Sequence, residues 1–343
     1  MSSEAQQFER PFVVVTSINP PSEAVRDWAS HLPTVVVADR KTPGEAYATA
    51  AATLLPFGDT PELSLAPVDH YARKNLGYLY AMRAGCDAIL DTDDDTFPNA
   101  DFTPGSLTLG RAVSAHCSSS EFVNVFRLRS DEPMLWPRGF PLDAIHEPPQ
   151  ETVGATDPGT QLMGIVQYLI DGDTDVDAVQ RLLFGHREIT FQRTGTTHMV
   201  PPGQFCPFNS QLTLFHRAAF PLLYLPSTVA FRFTDILRGV VAKRILDAVG
   251  LRMGFADSVG FQVRNPHNLM SDFENEVSCQ VQTSVAWGLL GDLAGTDALA
   301  LLQVAYGRLY EQGIVASLEL ERVAEWCDAL GSIDGGGGTG AER

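Results

Sequence analysis

The sequence predicts an α/β fold: a three-layer sandwich in which helices cover both faces of a mainly parallel sheet, followed by a helical C-terminal region. Short β-branched apolar runs alternate with helical patterns through the first half of the chain. Strands that are apolar on both faces are typical of buried parallel sheets. Over about the last hundred residues, the pattern becomes helical throughout.

The strand and helix signals of the first half follow one another in order. We predict strands over Phe12–Thr16, Thr34–Ala38, Ala88–Leu90 and Phe122–Phe126, and helices over Ser22–Ser30, Gly44–Ala52 and Tyr71–Ala84. The turn Asn19-Pro20-Pro21 closes the first strand, and Ser22 then caps a helix. Since ligands bind at the carboxyl ends of the strands in such sheets, the charged residues that follow these strands are candidates for a site.

The second half begins with a Pro-rich loop from Pro133 to Pro149, which we interpret as an insertion over the sheet. The predicted elements after it are a helix over Val176–Phe184, strands around Ile189 and over Gln211–Phe215, and helices over Asp235–Val249, Phe273–Leu290, Asp297–Gln312 and Ser317–Leu330. We therefore divide the chain into a flexible N-terminus (1–10), an α/β body (11–271), a helical region (272–332) and a disordered Gly-rich tail (333–343).

Charge and cysteine usage exclude several classes of protein. The formal net charge of −18, from 24 basic and 42 acidic residues, argues against a protein that holds nucleic acid by neutralising phosphates. A nucleotide site in such a chain needs local cations, either side chains or a metal ion. The five cysteines are scattered and include no CxxC pair, which favours a reducing compartment. Since no stretch suits a signal peptide or a membrane span, we expect a cytoplasmic protein.

The acidic run Asp91-Thr92-Asp93-Asp94-Asp95 is the most informative motif. It follows a buried strand, and its crowding of like charge is costly unless a cation relieves it. Carboxylate oxygens suit Mg²⁺ or Mn²⁺, and sugar transfer from a nucleotide diphosphate needs such an ion because charge builds on the leaving diphosphate. The run therefore predicts a metal site drawn from Asp91, Asp93 and Asp95.

Other interpretations of this run compete with the metal site. An EF-hand loop fails because Thr96 stands where a Gly is obligatory and Phe102 where the bidentate Glu belongs. In a phosphatase of the haloacid dehalogenase type, Asp91 would attack phosphorus and Asp93 would act as the acid. That motif usually follows the first strand and has Thr in place of Asp95, so it stays an enzymatic alternative. A solvated acidic turn is the non-functional alternative.

Cationic and polar residues near other strand ends are further candidates for a ligand site. Arg73 and Lys74 start the helix before the acidic strand, where side chains and helix dipole together suit a diphosphate. Asp39 and Arg40 follow the second strand and are candidates for contact with a nucleobase and ribose. Each pair is also compatible with a solvated turn.

Three single residues later in the chain have two interpretations each. Asp235 is a helix N-cap, or else a catalytic base or a group that orients an acceptor hydroxyl. Asn209 belongs to a turn, or its amide hydrogen-bonds a sugar. His267 is an ordinary surface or core histidine, or it completes the metal shell or contacts the diphosphate.

Taken together, the motifs resemble the STELLO glycosyltransferase-like family in order and spacing from about Pro11 to Gln280. The matching segments are Val14–Asn19, Ala38–Pro43, Arg73–Tyr78, Asp91–Asp95, Trp136–Pro141, Pro207–Gln211, Thr234–Ile236 and Arg264–Asn268. A more distant similarity, confined to the acidic run and the Asp235 helix, links the chain to the reversibly glycosylated polypeptides, which include UDP-arabinopyranose mutases.

The resemblance implies a GT-A fold over residues 11–271, a nucleotide-sugar ligand and Mn²⁺ or Mg²⁺ as cofactor. Aligned on the second family, Asp93 and Asp95 would be the metal ligands. Aligned on the general DxD motif of GT-A enzymes, the ligands would be Asp91 and Asp93, so Asp93 is common to both. Thr16 and Ser17, in the first matching segment, join the residues expected to bind the donor.

The predicted function is therefore a metal-dependent glycosyltransferase that moves a sugar from a nucleotide diphosphate sugar, expected to be a UDP-sugar, to a hydroxyl group. The expected acceptor is a small molecule or a glycan, and the sequence is compatible with a homo-oligomer. Two alternatives stay open: a sugar-nucleotide mutase of the UDP-arabinopyranose mutase type, and a non-catalytic nucleotide-sugar-binding scaffold.

Overall fold

A computed structural model of the chain describes residues 8–58, 63–108, 111–116, 120–147, 151–153, 163–264 and 268–336. Parts of the predicted flexible N-terminus (1–7) and Gly-rich tail (337–343) lie outside the described residues, and so does His267.

The described residues form eleven strands and eight α-helices. The strands are β1 (Pro11–Ser17), β2 (Thr34–Ala38), β3 (Thr53–Leu55), β4 (Ala88–Asp91), β5 (Thr96–Pro98), β6 (Arg111–His116), β7 (Glu151–Val153), β8 (Met163–Gly172), β9 (Thr196–Met199), β10 (Thr213–His216) and β11 (Arg252–Gln262). The helices are α1 (Glu23–His31), α2 (Lys74–Arg83), α3 (Val125–Leu128), α4 (Ala178–Phe184), α5 (Thr234–Val249), α6 (Leu269–Leu289), α7 (Ala298–Glu311) and α8 (Leu318–Gly336).

The strands join in one sheet in the order β3-β2-β1-β4-β10-β8-β11-β9-β6-β7, and β5 pairs with β11 outside this path. The first four strands of this order are parallel to one another. Strand β10 runs antiparallel between β4 and β8, and β11 runs parallel to β8. Two reversals restore the original direction, so β1, β2, β4, β8 and β11 all end at the same edge of the sheet.

Helices cover both faces of the sheet, because successive side chains of a strand point to opposite sides. In β1, Val13 and Val15 belong to one buried cluster with Val25 and Trp28 of α1. The side chain between them, Val14, belongs to the cluster on the other face, which includes residues of α2, α5, α7 and α8. The predicted fold class, an α/β sandwich followed by a helical C-terminal region, is confirmed.

Local signals account for the first elements. Ser22 accepts a hydrogen bond from the Val25 backbone N–H and caps α1, as predicted. All residues of β2 are buried, in keeping with a strand covered on both faces. The predicted helix before the acidic strand is a short 3₁₀ turn, Tyr71–Arg73, that continues into α2.

Several sequence predictions need correction. The segment Gly44–Ala52 is not an α-helix: only Gly44–Tyr47 forms a 3₁₀ turn, and the edge strand β3 follows it. Phe122–Phe126 is not a strand, since Phe122 makes an isolated bridge and α3 begins at Val125. Ile189 likewise makes only an isolated bridge. Residues 122–126 and Ile189 pack through tertiary contacts that local periodicity does not specify, whereas most of residues 44–52 are exposed.

The C-terminal helices pack on the α/β body through the same hydrophobic cluster that α2 and α5 share. The predicted boundary between residues 271 and 272 falls inside α6. Glu319 of α8 is fully buried and accepts hydrogen bonds from the Tyr224 hydroxyl and from the backbone N–H groups of Ser227 and Thr228. This carboxylate ties the last helix to the loop that leads into α5.

Gly77 is where α2 approaches the sheet most closely. A Cβ atom there would lie 2.6 Å from Val14 Cγ1 and 2.7 Å from Val37 Cγ2, both in buried strands. We expect Gly77→Ala to lower the free energy of unfolding by about 1–3 kcal/mol through overpacking. Urea unfolding followed by circular dichroism measures this change.

The matched control for Gly77 is Gly307→Ala in α7, where a new Cβ would meet no atom within 4 Å. It should raise stability by up to about 1 kcal/mol, because alanine is the better helix former. If both variants unfold at the wild-type urea concentration, the close approach of α2 to the sheet described here is wrong.

Candidate active site

A cavity of about 370 Å³ opens at the edge of the sheet where β1, β2, β4 and β11 end. Its volume is typical of a site for a small ligand, and its position is the one at which α/β sheets bind ligands. The predicted site residues that line it are Thr16, Ser17, Asp39, Asp93, Asp95, Asn209 and Asp235. The structure thus brings together residues separated by more than two hundred positions in the sequence.

Four other predicted site residues are not on the cavity wall: Arg40, Arg73, Lys74 and Asp91. Arg40 is exposed and pairs with Asp69. Arg73 is buried, and its guanidinium donates to the Ala38 and Ala66 carbonyl oxygens at 2.8 Å each. These arginines therefore support the loops next to the cavity from outside, whereas Lys41 lines the cavity directly.

Asp91 lies beneath the cavity with both carboxylate oxygens bound by cations. Lys74 Nζ donates to its Oδ1 at 2.9 Å, and Arg238 Nη1 donates to its Oδ2 at 2.7 Å. All three side chains are fully buried. This cluster of Lys74, Asp91 and Arg238, which we call the buried ion cluster, leaves Asp91 badly placed to ligate a metal or to attack phosphorus as in the phosphatase alternative.

Lys74 links the buried ion cluster to the cavity wall. Its Nζ also donates to Asp93 Oδ1 at 3.0 Å and to the Thr92 carbonyl oxygen at 2.6 Å. The Tyr71 hydroxyl donates to the same Asp93 oxygen at 2.5 Å. Burial opposes the charge on Lys74, but Asp91 and Asp93 outweigh it and raise the pKa of Lys74. Asp93 is thus oriented through Oδ1, and none of the described hydrogen bonds uses its Oδ2.

Asp95 is the second acid of the run that faces the cavity. The Gln262 amide donates to its two oxygens at 3.2 Å each. Burial and the neighbouring charge of Asp93 raise the pKa of Asp95 to about 7. A carboxylate held at this cost beside a like charge is an environment that a cation would stabilise.

Asp94, between these two acids, also lines the cavity, but its carboxylate is held by the loop after β1. Its carboxylate accepts from the Ser17 hydroxyl at 2.5 Å and from the Asn19 amide at 3.2 Å, and its carbonyl oxygen accepts from the Ser22 hydroxyl. These bonds join the end of β1, the start of α1 and the acidic run. As a result, Ser17 and the acids keep a fixed spacing along the wall.

Asp39 marks the end of the cavity nearest β2. It is almost fully buried; its backbone N–H donates to Thr42 Oγ1, and its carboxylate lies 3.7 Å from Arg73 Nε. Thr42 in turn donates to the Ser17 carbonyl oxygen at 2.6 Å. The loops after β1 and β2 therefore form one hydrogen-bonded unit, as the predicted nucleoside end would need.

Asp235, on the cavity wall, forms a bidentate ion pair with Arg138. The Arg138 guanidinium donates to both Asp235 oxygens, at 3.0 and 2.8 Å, and through Nε to Asp175 at 2.9 Å. The Asn209 amide donates to Asp175 at 2.6 Å, and the Ser210 backbone N–H donates to Asp235 at 3.2 Å. Burial disfavours the charge of Asp235, but Arg138 outweighs it and holds the pKa of Asp235 below its usual range.

These contacts favour an orienting role for Asp235 over the predicted role as a base. A carboxylate with a lowered pKa and a bidentate arginine partner is a weak proton acceptor at neutral pH. It can still accept a hydrogen bond and orient a hydroxyl group. The N-cap interpretation finds no support, because no side chain caps the start of α5 and Asp235 lies within its first turn.

The prediction of individual site residues missed Arg138, Asp175, Arg232 and Arg264, all of which line the cavity. Arg138 and Arg264 lie in segments that carried the family resemblance, so a signal was present in the sequence. Asp175 follows β8, a strand that is absent from the predicted elements. Arg232 stands three residues before Asp235 and had no distinguishing pattern.

Among the described residues, no three His, Cys, Asp or Glu side chains already converge as a metal-binding group. Of the predicted metal ligands in the acidic run, Asp93 and Asp95 line the cavity. Within the same ranges, no helix has both the length and the hydropathy needed to cross a membrane.

Comparison with known proteins supports the resemblance stated from the motifs. No protein-family model matches the chain. The chain is 28% identical over 206 residues to two Arabidopsis thaliana proteins, "Probable glycosyltransferase STELLO2" and "Probable glycosyltransferase STELLO1". The match covers 54% of this chain and 26% of each relative, so it spans about a quarter of the relatives' length. The predicted resemblance to the STELLO proteins is confirmed.

Solved structures similar to this chain include Staphylococcus aureus TarS residues 1–349 in complex with UDP-GlcNAc, with a TM-score of 0.37, 14% identity, and coverage of 94% of this chain and 80% of that one. Another is Mycobacterium tuberculosis glucosyl-3-phosphoglycerate synthase with Mn²⁺, UDP and glucosyl-3-phosphoglycerate, with a TM-score of 0.38, 13% identity, and coverage of 82% and 79%. Similarity of this extent does not identify a reaction, so the reaction is inferred from the residues of the cavity.

The buried ion cluster predicts that Asp91 is needed for folding. We expect Asp91→Asn to lower the free energy of unfolding by about 3–5 kcal/mol, because two buried cations lose their shared counter-charge. Denaturant unfolding measures the loss. Asp101→Asn, at an exposed acid of the same region, should change stability by no more than about 0.5 kcal/mol. Equal stability of both variants would contradict the assignment of Asp91.

Proposed function

We propose that this protein is a metal-dependent glycosyltransferase of the GT-A type, which transfers a sugar from a UDP-sugar to an acceptor hydroxyl group. The observation that carries this proposal is the set of side chains that line one cavity: Asp39 after β2, the acids Asp93 and Asp95 after β4, and the ion-paired carboxylate of Asp235. The similarity to two probable glycosyltransferases supports it.

Asp93 and Asp95 would hold Mn²⁺ or Mg²⁺. The donor set fits, since both ions favour carboxylate oxygens and are commonly bound by one or two carboxylates together with substrate phosphates. When bound, the ion would stabilise the negative charge that develops on the leaving diphosphate. Asp91 holds Lys74, and Lys74 with Tyr71 orients Asp93. His267 is retained as a proposed third ligand.

The loops after β1 and β2 would bind the nucleoside. Thr16, Ser17 and Asp39 line that end of the cavity, and Lys41 supplies a cation there. Arg40 and Arg73 support these loops through Asp69 and the Ala38 carbonyl oxygen. A net charge of −18 repels a nucleotide, so a cation on the wall and an ion at the acids are both needed.

At the far end, Asp235 and Asn209 would position the reacting groups. In the reaction, the acceptor oxygen bonds to the anomeric carbon, the bond from that carbon to the diphosphate breaks, and the hydroxyl proton is released. Because Arg138 keeps Asp235 ionised, its carboxylate can accept a hydrogen bond from a sugar or acceptor hydroxyl without taking the proton. Asn209, held against Asp175, presents the amide expected to contact the sugar.

The metal assignment predicts that the chain hydrolyses one member of a panel of nucleotide sugars slowly, in a reaction that depends on Mn²⁺. Asp93→Asn should lower this rate about a hundredfold or more, since a catalytic ion supplies several kcal/mol of charge stabilisation. Release of the nucleoside diphosphate measures the rate. Equal rates for wild type and Asp93→Asn, at saturating Mn²⁺ in both, would contradict the assignment.

Asp101→Asn is the control for this measurement and should hydrolyse the donor at the wild-type rate, because Asp101 is exposed and does not line the cavity.

Calorimetry with Mn²⁺ and UDP should show binding that Asp93→Asn weakens. A ring-isomer product formed without acceptor would identify a mutase instead, and donor binding without any turnover would identify a scaffold.

A further inference from the structure

Two arginines, Arg232 and Arg264, lie at the end of the cavity away from the nucleoside loops. We propose that this arginine pair binds an anionic group of the acceptor, either a carboxylate or a phosphate. The inference rests on the proposed glycosyl transfer and extends it by naming the chemical class of the acceptor.

The sheet order places the arginine pair far from the nucleoside end. Arg264 lies two residues beyond β11, and β11 is four strand positions away from β1. At the usual spacing of strands, this separation is roughly 19 Å along the sheet. Since β11 ends at the same edge as β1 and β4, Arg264 faces the same cavity from its opposite side.

Arg264 has hydrogen-bonding capacity that the protein does not use. Its side chain is only 7% exposed, and its Nη2 donates to Asp272 at 3.2 Å. Its Nε is buried and has no hydrogen-bond partner. A buried donor without a partner is destabilising, so an anion bound at this part of the cavity wall would supply a hydrogen bond that the protein does not.

Arg232 is held in a similar way from the same helix. Its Nε and Nη2 both donate to Glu276 of α6, at 2.9 and 2.6 Å. None of the described hydrogen bonds uses its Nη1. A guanidinium has five N–H donors, so a carboxylate on one edge fixes its orientation and leaves the other edge for a ligand.

Arg232 and Arg264 repel each other, although the charges of Asp175, Asp272 and Glu276 offset part of this repulsion. After burial, the charges of Arg181 and Arg232 are the next causes that lower the pKa of Arg264. Arg181 is paired with Asp173 behind the wall and does not line the cavity. A bound anion would offset the repulsion between Arg232 and Arg264 and satisfy their unused donors together.

Two anions of the proposed reaction lie within reach of the arginine pair, the donor diphosphate and an anionic acceptor, since Arg264 follows Val263, whose backbone N–H donates to the Asp95 carbonyl oxygen at 3.1 Å. The diphosphate is assigned to the ion at Asp93 and Asp95, and the transferred sugar extends from it towards Asp235. An acceptor must approach this sugar from the remaining side, where Arg232 and Arg264 lie. Phe231, beside Arg232 and half-exposed, offers an apolar surface to the acceptor's carbon skeleton.

Three compounds that share one sugar ring, but carry a neutral or an anionic group at carbon 6, test the arginine pair. Glucose, glucuronic acid and glucose 6-phosphate are titrated calorimetrically into the protein with Mn²⁺ and UDP, and are offered as acceptors with the donor. We expect at least one anionic compound to bind about tenfold to a hundredfold more tightly than glucose. Arg264→Gln and Arg232→Gln should each remove this preference.

Arg264→Lys guards against loss of folding, since it keeps the charge and should lose only part of the preference. Arg308→Gln, at a surface ion pair of α7, is the matched control and should keep the full preference. Equal binding of glucose and the anions by wild type, or no binding of either anion, overturns the inference. A parallel loss of UDP affinity in the arginine variants also overturns it, because the pair would then serve the diphosphate. Failure of the proposed function itself looks different, as wild type would hydrolyse no donor.

Discussion

The buried ion cluster is the constraint on which the candidate site depends. Asp91 ends β4, Lys74 begins α2 and Arg238 lies in α5, so one carboxylate joins two neighbouring elements to a helix that is distant in the chain. Burying these charges is costly, and the cost is offset only because each has an oppositely charged partner at hydrogen-bonding distance. Lys74 then extends the cluster to Asp93. The acid that faces the cavity is thus held in place by ion pairs that are buried beneath the cavity.

This arrangement accounts for which parts of the structure the sequence could predict. Strands β1, β2 and β4 were predictable because their runs are apolar on both faces. The start of α1 was predictable because serine is a favoured N-cap residue. The destinations of Arg73 and Lys74 were not, since a cation near an acidic strand can face either a ligand or the acids themselves. Strand β8 was missed although it is almost entirely buried, because periodicity does not separate a short apolar run from a helix.

The site shows the same contrast. Its acids were predictable, because carboxylates crowded together after a buried strand repel one another unless a cation lies among them. The roles of its arginines were not predictable. Arg138 and Arg232 are oriented by ion pairs with Asp175, Asp235 and Glu276, and these pairs form only when distant segments fold together. Asp91 and Asp93 are two positions apart, yet one supports the fold and the other faces the cavity. The difference arises where β4 ends, since Asp91 still belongs to the buried strand and Asp93 to the turn that follows it.

Through Glu319, the C-terminal helices hold a loop of the α/β body that lines the cavity. The Glu319 carboxylate holds the backbone of Ser227 and Thr228, in the same loop that presents Phe231 and Arg232 to the cavity. Helix α6 holds Arg232 from another direction through Glu276. Removing the C-terminal helices would therefore release this loop from both carboxylates, so the shape of the cavity depends on a region that follows the α/β body in the chain.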